Sequence, residues 1–416
     1  MFLAASPYFQ SRFSSDSRLL SAYSPTLLTV STVTNLLVML ILTYLQTTAN
    51  YPSRIILSLI INSLAFSLLA LSTVLFRDVS PALYFGFLMS MVFSSSLATG
   101  LCQNGVFAFV AAFNMPKYTQ AIMMGQAVAG VLPSIAQIVS VLAVPPPSTS
   151  DRTERDKDPG GGMVAPHESG KSAFAYFLTA IPISVATLLA FMIILRRHPD
   201  TGTSISQSLP KSTPVDPPLP YDGSTPTTSL NDQNDDSSAP TRKSVSLLTL
   251  YKKLHWLATA VFLTFTLTMF FPVFTQRIHS ASTSTPLPRL LEPSCFIPLA
   301  FLFWNVGDLL GRTLTLHPHL AALTHYPKTI FVASIARVIW LPLYELCSKG
   351  TVKSDFFYLV IVQGGFGVSS GLIGSLCMMG AGEWVEPDER EVAGGFMGLM
   401  LVGGLSVGSL ASFLVM

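Results

Sequence analysis

Arg54-Ile55-Ile56-Leu57-Ser58-Leu59-Ile60-Ile61-Asn62-Ser63-Leu64-Ala65-Phe66-Ser67-Leu68-Leu69-Ala70-Leu71-Ser72-Thr73-Val74-Leu75-Phe76 decides the fold. Past Arg54 the stretch holds no Asp, Glu, Lys or Arg, and Asn50-Tyr51-Pro52 and Arg77-Asp78 bound it. A helix that crosses a hydrocarbon core of about 30 Å needs roughly 20 mostly apolar residues. Residues 54–76 therefore read as a membrane span. Nine further runs meet the same test: 25–46, 81–113, 117–143, 172–195, 254–275, 293–316, 329–347, 354–382 and 392–416. The runs at 81–113 and 354–382 exceed a straight crossing and should tilt or project beyond the bilayer. All ten are continuous rather than alternating, which excludes a membrane β-barrel. The expected fold is an all-α polytopic membrane protein.

Composition agrees. Half of the 416 residues are apolar and 11% are charged, against about 25% in soluble proteins; the mean hydropathy is +0.53. Of the 46 Asp, Glu, Lys and Arg residues, 22 lie in 144–171 and 196–253. The remainder is too poor in charge to solvate a soluble surface. A net charge of +2 does not imply nucleic acid. Four cysteines, Cys102, Cys295, Cys347 and Cys377, lie in or beside apolar runs and form no disulfide framework.

Two segments read as linkers. Residues 144–171 open on Pro145-Pro146-Pro147 and carry Gly160 to Gly162. Residues 198–246 are rich in Ser, Thr, Pro and Asp, a composition expected to be disordered. Arg196-Arg197 and Lys252-Lys253 bracket the long linker, and positive charge next to span ends favours a cytosolic position for it. These marks divide the chain into a bundle at 1–195, a disordered cytosolic linker at 196–253 and a bundle at 254–416. Met1 to Ala5 is apolar but breaks at Ser6-Pro7, too short for a span or a signal peptide. It reads as the last turns of a helix whose beginning lies upstream.

Ionisable groups deep in a span are costly and mark function by default. The clearest set is in Phe301-Leu302-Phe303-Trp304-Asn305-Val306-Gly307-Asp308-Leu309-Leu310-Gly311-Arg312. Asn305, Asp308 and Arg312 are three and four apart and share one helical face, with Phe301 a turn earlier. Asp308 and Arg312 can pair, and Gly307 and Gly311 permit close approach of another helix. The rival reading is an ion pair that only fixes helix packing. Gln126 has an amide suited either to hydrogen-bonding a polar solute or to tying two helices together. Gln103 and Asn104 carry a weaker signal of the same kind. Arg337 is expected to snorkel or to pair with Glu345.

Thirteen of the 27 glycines fall in 354–416. Gly367 with Gly371, Gly394 with Gly398, and Gly404 with Gly408 have the spacing of close helix contacts. No following Lys-Ser or Lys-Thr supports a nucleotide loop. The sequence supports no catalytic set, metal site or cofactor. His317, His319 and His325, and the acidic group Glu383, Glu386, Asp388, Glu389 and Glu391, read as solvated connections.

Several of these stretches together resemble the equilibrative nucleoside transporter family, over essentially the whole chain. Tyr8-Phe9-Gln10-Ser11-Arg12-Phe13 looks like the end of the family's first helix. Cys102-Gln103-Asn104-Gly105-Val106-Phe107, Met115-Pro116-Lys117-Tyr118 and Met124-Gly125-Gln126-Ala127-Val128-Ala129-Gly130 follow its fourth and fifth helices in order. Asn305-Val306-Gly307-Asp308-Leu309-Leu310-Gly311-Arg312 matches its eighth-helix pattern, and Ala393-Gly394-Gly395 with Gly404-Leu405-Ser406-Val407-Gly408 its last helix.

The resemblance implies a major-facilitator-like architecture of two bundles, with ten full helices here and a truncated first one. It implies alternating-access, facilitative transport of nucleosides, and in some members nucleobases, in the plasma or vacuolar membrane. Gln126, Asp308 and Arg312 would contact the solute. Asn305, Phe301 and Phe271 would line the same cavity, with aromatic faces against the base. The partners implied are a nucleoside or nucleobase and the lipid bilayer. The family's Pro-Trp-Asn motif would stand just ahead of Met1, and upstream in-frame sequence is expected to encode it. A membrane receptor and a proton-coupled carrier of another small polar solute are the alternatives.

Overall fold

The computed structural model describes residues 6–14, 16–45, 49–75, 79–113, 115–143, 170–197, 245–282 and 288–412. Every regular element among them is helical, and ten helical segments are long and apolar enough to cross a membrane. In chain order the helices are α1 (Ser6–Phe13), α2 (Ser17–Tyr44), α3 (Tyr51–Leu75), α4 (Pro81–Ala112), α5 (Pro116–Ala143) and α6 (Gly170–Arg197). There follow α7 (Leu247–Thr268), α8 (Phe271–Arg277), α9 (Pro293–Leu314), α10 (Pro327–Ala336), α11 (Trp340–Ser348), α12 (Gly365–Gly380) and α13 (Arg390–Ser412). Each expected run coincides with one of the ten segments. Most of both linkers, and Met1 to Ala5, lie outside the described residues.

Two of the three spans that depart from simple helices carry a proline at the break. The expected span at 254–275 is two helices, α7 and α8, with a turn at Met269-Phe270. Pro272 has no N–H for the Thr268 carbonyl, so the ladder cannot continue. The run at 329–347 is α10 and α11 joined by a 3-10 turn, Arg337–Ile339, just before Pro342, which leaves the Val338 carbonyl without its helical donor. The long run at 354–382 begins as a π-helical stretch, Phe357–Gly364, and continues as α12. α4 has 32 residues, about 48 Å at the helical rise, longer than a straight crossing needs.

Residues 247–253, grouped with the linker by sequence, form the first turns of α7, with Ser246 as N-cap. α1 is pinned by rings. Phe9 and Phe13 are fully buried, their centroids 6.0 and 5.8 Å from that of Tyr23 and 5.9 and 6.1 Å from those of Phe177 and Tyr84, respectively. α2, α3, α4 and α6 pack on one another, and α7 packs on α10, α12 and α13. Two seams join the earlier helices to the later ones: α5 lies along α9 and α12, and α13 lies along α4 and α2.

The expected glycine contacts are present. Gly367 faces the Trp304 carbonyl, Gly371 the Asp308 carbonyl, Gly394 the Phe107 carbonyl, and Gly404 and Gly408 the carbonyls of Phe262 and Thr266. At each, an added Cβ would collide with backbone. In the acidic connection before α13, Glu383, Glu386 and Asp388 are exposed as expected, and Glu389 is the correction. Glu389 is buried, takes Lys253 Nζ at 2.7 and 2.8 Å, and forms a capping box with Glu386. Glu383 accepts from Thr324 Oγ1 at 3.2 Å and pairs with His325 at 3.2 Å. Lys253 and Thr324 stand far away in sequence, so nothing local signalled this order.

Candidate functional site

α9 is amphipathic in an inverted sense: its polar stripe faces protein. Asp308 and Arg312 are buried, and Arg312 Nε donates to Asp308 Oδ2 at 2.8 Å. Arg312 Nη1 crosses to α5 and donates to the Met123 carbonyl at 2.7 Å. Gln120 Nε2, also on α5, donates to Thr315 Oγ1 at 2.9 Å. A turn or two along the same seam, Asn305 Nδ2 donates to Ser134 Oγ at 3.2 Å and to the Phe301 carbonyl at 2.8 Å. Gly130 makes room for the Asn305 amide. The ion pair costs less at this depth than two separate charges, because each group meets its partner before it meets lipid.

Above the ion pair sits an aromatic wall. The break after α7 turns Phe271 onto α9, where its ring stacks flat on Trp304 at 4.2 Å and 6°, and edge-on against Phe301 at 5.3 Å. Two buried polar atoms of α9 have no hydrogen-bond partner among the described residues: Asp308 Oδ1 and Trp304 Nε1. Most buried polar atoms are paired, so two orphans on one helix need a reason.

Five of the six residues singled out by sequence thus lie together: Phe271, Phe301, Asn305, Asp308 and Arg312. Gln126 points elsewhere. It is exposed to a cavity of about 270 Å³ between α3, α4 and α5, shared with Ser58, Asn62, Thr99, Cys102 and Gln103. Gln103 Oε1, at that cavity, is another buried polar atom without a hydrogen-bond partner among the described residues. Asn104 turns away from it and accepts from Arg54 Nη1 at 2.5 Å.

Arg337 corrects a sequence expectation. It neither snorkels nor meets Glu345, which pairs with Lys349 at 3.1 Å. Only 2% exposed, it donates to the Thr264 carbonyl at 2.6 Å, to Ser369 Oγ at 3.1 Å and to Thr268 Oγ1 at 3.4 Å, with Phe366 under its guanidinium at 4.6 Å. The 3-10 turn aims it inward, which periodicity could not reveal. Trp304 was within the quoted α9 stretch but lacked a distinguishing signal until Phe271 stacked on it. A buried glutamine, Gln363, was also missed: it accepts from Tyr344 and donates to Thr275 and Tyr358, at 2.7–2.8 Å.

The sequence pattern of the nucleoside transporters matches residues 88–416, most of the chain. The chain belongs to the nucleoside transporter family. Within this family, it is 28% identical to the nucleoside transporter FUN26 of Saccharomyces cerevisiae, over 99% of this chain and 80% of that protein. It is 26% identical to human equilibrative nucleoside transporter 1, over 92% and 81%, and 25% identical to human equilibrative nucleoside transporter 2, over 99% and 92%. Among solved structures, a variant of the E. coli fucose:proton symporter FucP superposes with a TM-score of 0.51 at 11% identity, covering 99% of this chain and 93% of that one. That likeness shows a major-facilitator fold. With ten apolar helices, this family member is a multi-pass integral membrane protein.

Proposed function

We propose that the chain moves nucleosides across the membrane by facilitated, alternating-access transport, with the solute bound against α9. The observation that carries the reading is the orphaned Asp308 Oδ1 beside the Asp308–Arg312 pair, beneath the Phe271–Trp304 stack. A nucleoside complements that arrangement. Ribose hydroxyls donate to Asp308 and accept from Arg312, and the base presents an apolar face to the aromatic wall. Trp304 Nε1 supplies a donor for a ribose or base oxygen. Asn305 shapes the floor, while Gln126 stands apart at the cavity between α3, α4 and α5. Nucleobases present the same π-face and edges but lack the ribose, so they engage only part of the set.

The relatives named above, transporters of nucleosides, support the substrate class. The helices α1 to α6 and α7 to α13 act as the two bundles, joined by a cytosolic linker, and rock about the α5–α9 and α4–α13 seams. The test is uptake of radiolabelled nucleosides and nucleobases by proteoliposomes. Saturable nucleoside uptake is expected. Asp308→Asn keeps the shape and is expected to lower uptake about tenfold or more, since a hydrogen bond to a charged group contributes about 1.5–3 kcal/mol. Normal KM and turnover in that variant would place the solute elsewhere.

A further inference from the structure

Charge counting inside the membrane gives an uneven result. Among the described residues, Asp308 is the one buried carboxylate more than a turn inside a membrane-length helix, and two guanidiniums, Arg312 and Arg337, are buried as well. Arg312 is bonded to Asp308 directly. Arg337 is not, and can act on it only through its charge. The width of α12 lies between them: Gly367 and Gly371 lie against the Asp308 backbone on one face, and Ser369, on the opposite face, accepts from Arg337. Arg337 has its hydrogen bonds satisfied by neutral groups, the Thr264 carbonyl and the hydroxyls of Ser369 and Thr268. Those bonds orient it without cancelling its charge.

The consequence concerns solute selection. A lone buried carboxylate would attract cations. Paired with Arg312 it is neutral, and Arg337 makes the cluster net positive. Such a charge in a low-dielectric, fixed setting acts on any charged solute nearby, because nothing mobile screens it. We infer that Arg337 is a specificity-determining residue that biases the site against cationic solutes, so that neutral nucleosides pass and positively charged nucleosides of the same size are rejected. It acts through the field at Asp308, not by contact with the solute. This rests on the nucleoside reading given above.

A pair of constitutional isomers provides the probe: N6-methyladenosine, neutral at neutral pH, and 1-methyladenosine, protonated there. Uptake of both into proteoliposomes is measured for the wild type and for Arg337→Gln, Arg337→Met and Arg337→Lys. In the wild type the neutral isomer is expected to be favoured at least tenfold. The neutral side chains are expected to cut that ratio by about tenfold, equivalent to roughly 1.4 kcal/mol, whatever they do to total uptake. Arg337→Lys is expected to hold the ratio even if uptake falls, since it keeps the charge and loses the fork of hydrogen bonds. A purely structural role would lower uptake of both isomers alike and leave the ratio fixed in Gln and Met. That result overturns the inference, as does a ratio lost in Lys, which remains decisive if the neutral variants fail to insert. Absence of neutral-isomer and adenosine uptake by the wild type would instead sink the transport reading itself.

Discussion

α9 has two working faces, and they are built differently. Toward α12 it presents Gly307 and Gly311, which meet the carbonyls of Gly364 and Val368, while Gly367 and Gly371 reply from the other side. At these four glycines the seam is backbone against backbone. Toward α5 it presents Asn305 and Arg312, which reach Ser134 and Met123 through side-chain hydrogen bonds. The first face fixes a helix spacing and the second makes exchangeable contacts. A helix that must hold its own bundle and still release a solute needs both, one on each side.

The largest effect should come from breaking the rigid face. In Gly371→Val the added atoms meet the Asp308 carbonyl and the Arg312 N–H, and neither can move aside without parting the helices. Overpacking of this kind costs about 1–3 kcal/mol or more. Fluorescence-detected size exclusion in detergent is expected to show loss of most of the monodisperse protein, with a lowered melting temperature in what remains. Unchanged melting would erase the distinction between the two faces.

The exchangeable face should be gentler. Asn305→Ala loses one hydrogen bond to α5, about 1 kcal/mol, and is expected to melt near the wild type while KM for nucleosides rises several-fold. Adding Ser134→Ala should change little further, because both substitutions remove the same bond. Full additivity in KM would show that the Asn305–Ser134 contact is not shared. The smallest effect is expected far from either face. Exchange of residues 203–240 for a Gly/Ser stretch of equal length should leave initial uptake rates unchanged, since that segment has almost no apolar side chains to pack. A collapse of uptake in properly inserted protein would assign the linker more than a tethering role.

Much of this was legible in the sequence because the bilayer demands a long, uninterrupted signal from each span. The ten runs and the Asn305-Asp308-Arg312 face needed only helical geometry. Gly367 with Gly371 needed only the spacing rule. What was hidden depends on partners distant in sequence. Glu389 reads as solvent-facing until Lys253 arrives beside it. Arg337 reads as a snorkelling cation or a partner of Glu345 until the 3-10 turn aims it at Thr264. Pro272, by contrast, was a visible cue to the break that carries Phe271 onto Trp304. Gln126 was picked by type and resemblance, neither of which says that it faces the cavity with Gln103 and Thr99 instead of the ion pair.

The π-helical stretch Phe357–Gly364 also acts as a phase-setter for everything downstream. Each of its turns contains more residues than an α-turn, so α12 emerges rotated relative to an uninterrupted helix. Winding the same residues as plain α-helix would swing the following chain by about 100° for each surplus residue. Gly367 and Gly371 would leave α9, Ser369 would leave Arg337, and Phe366 would no longer lie under its guanidinium. The irregular turn thus works like the offset tooth on a key, and the glycines further along fit only because it is there.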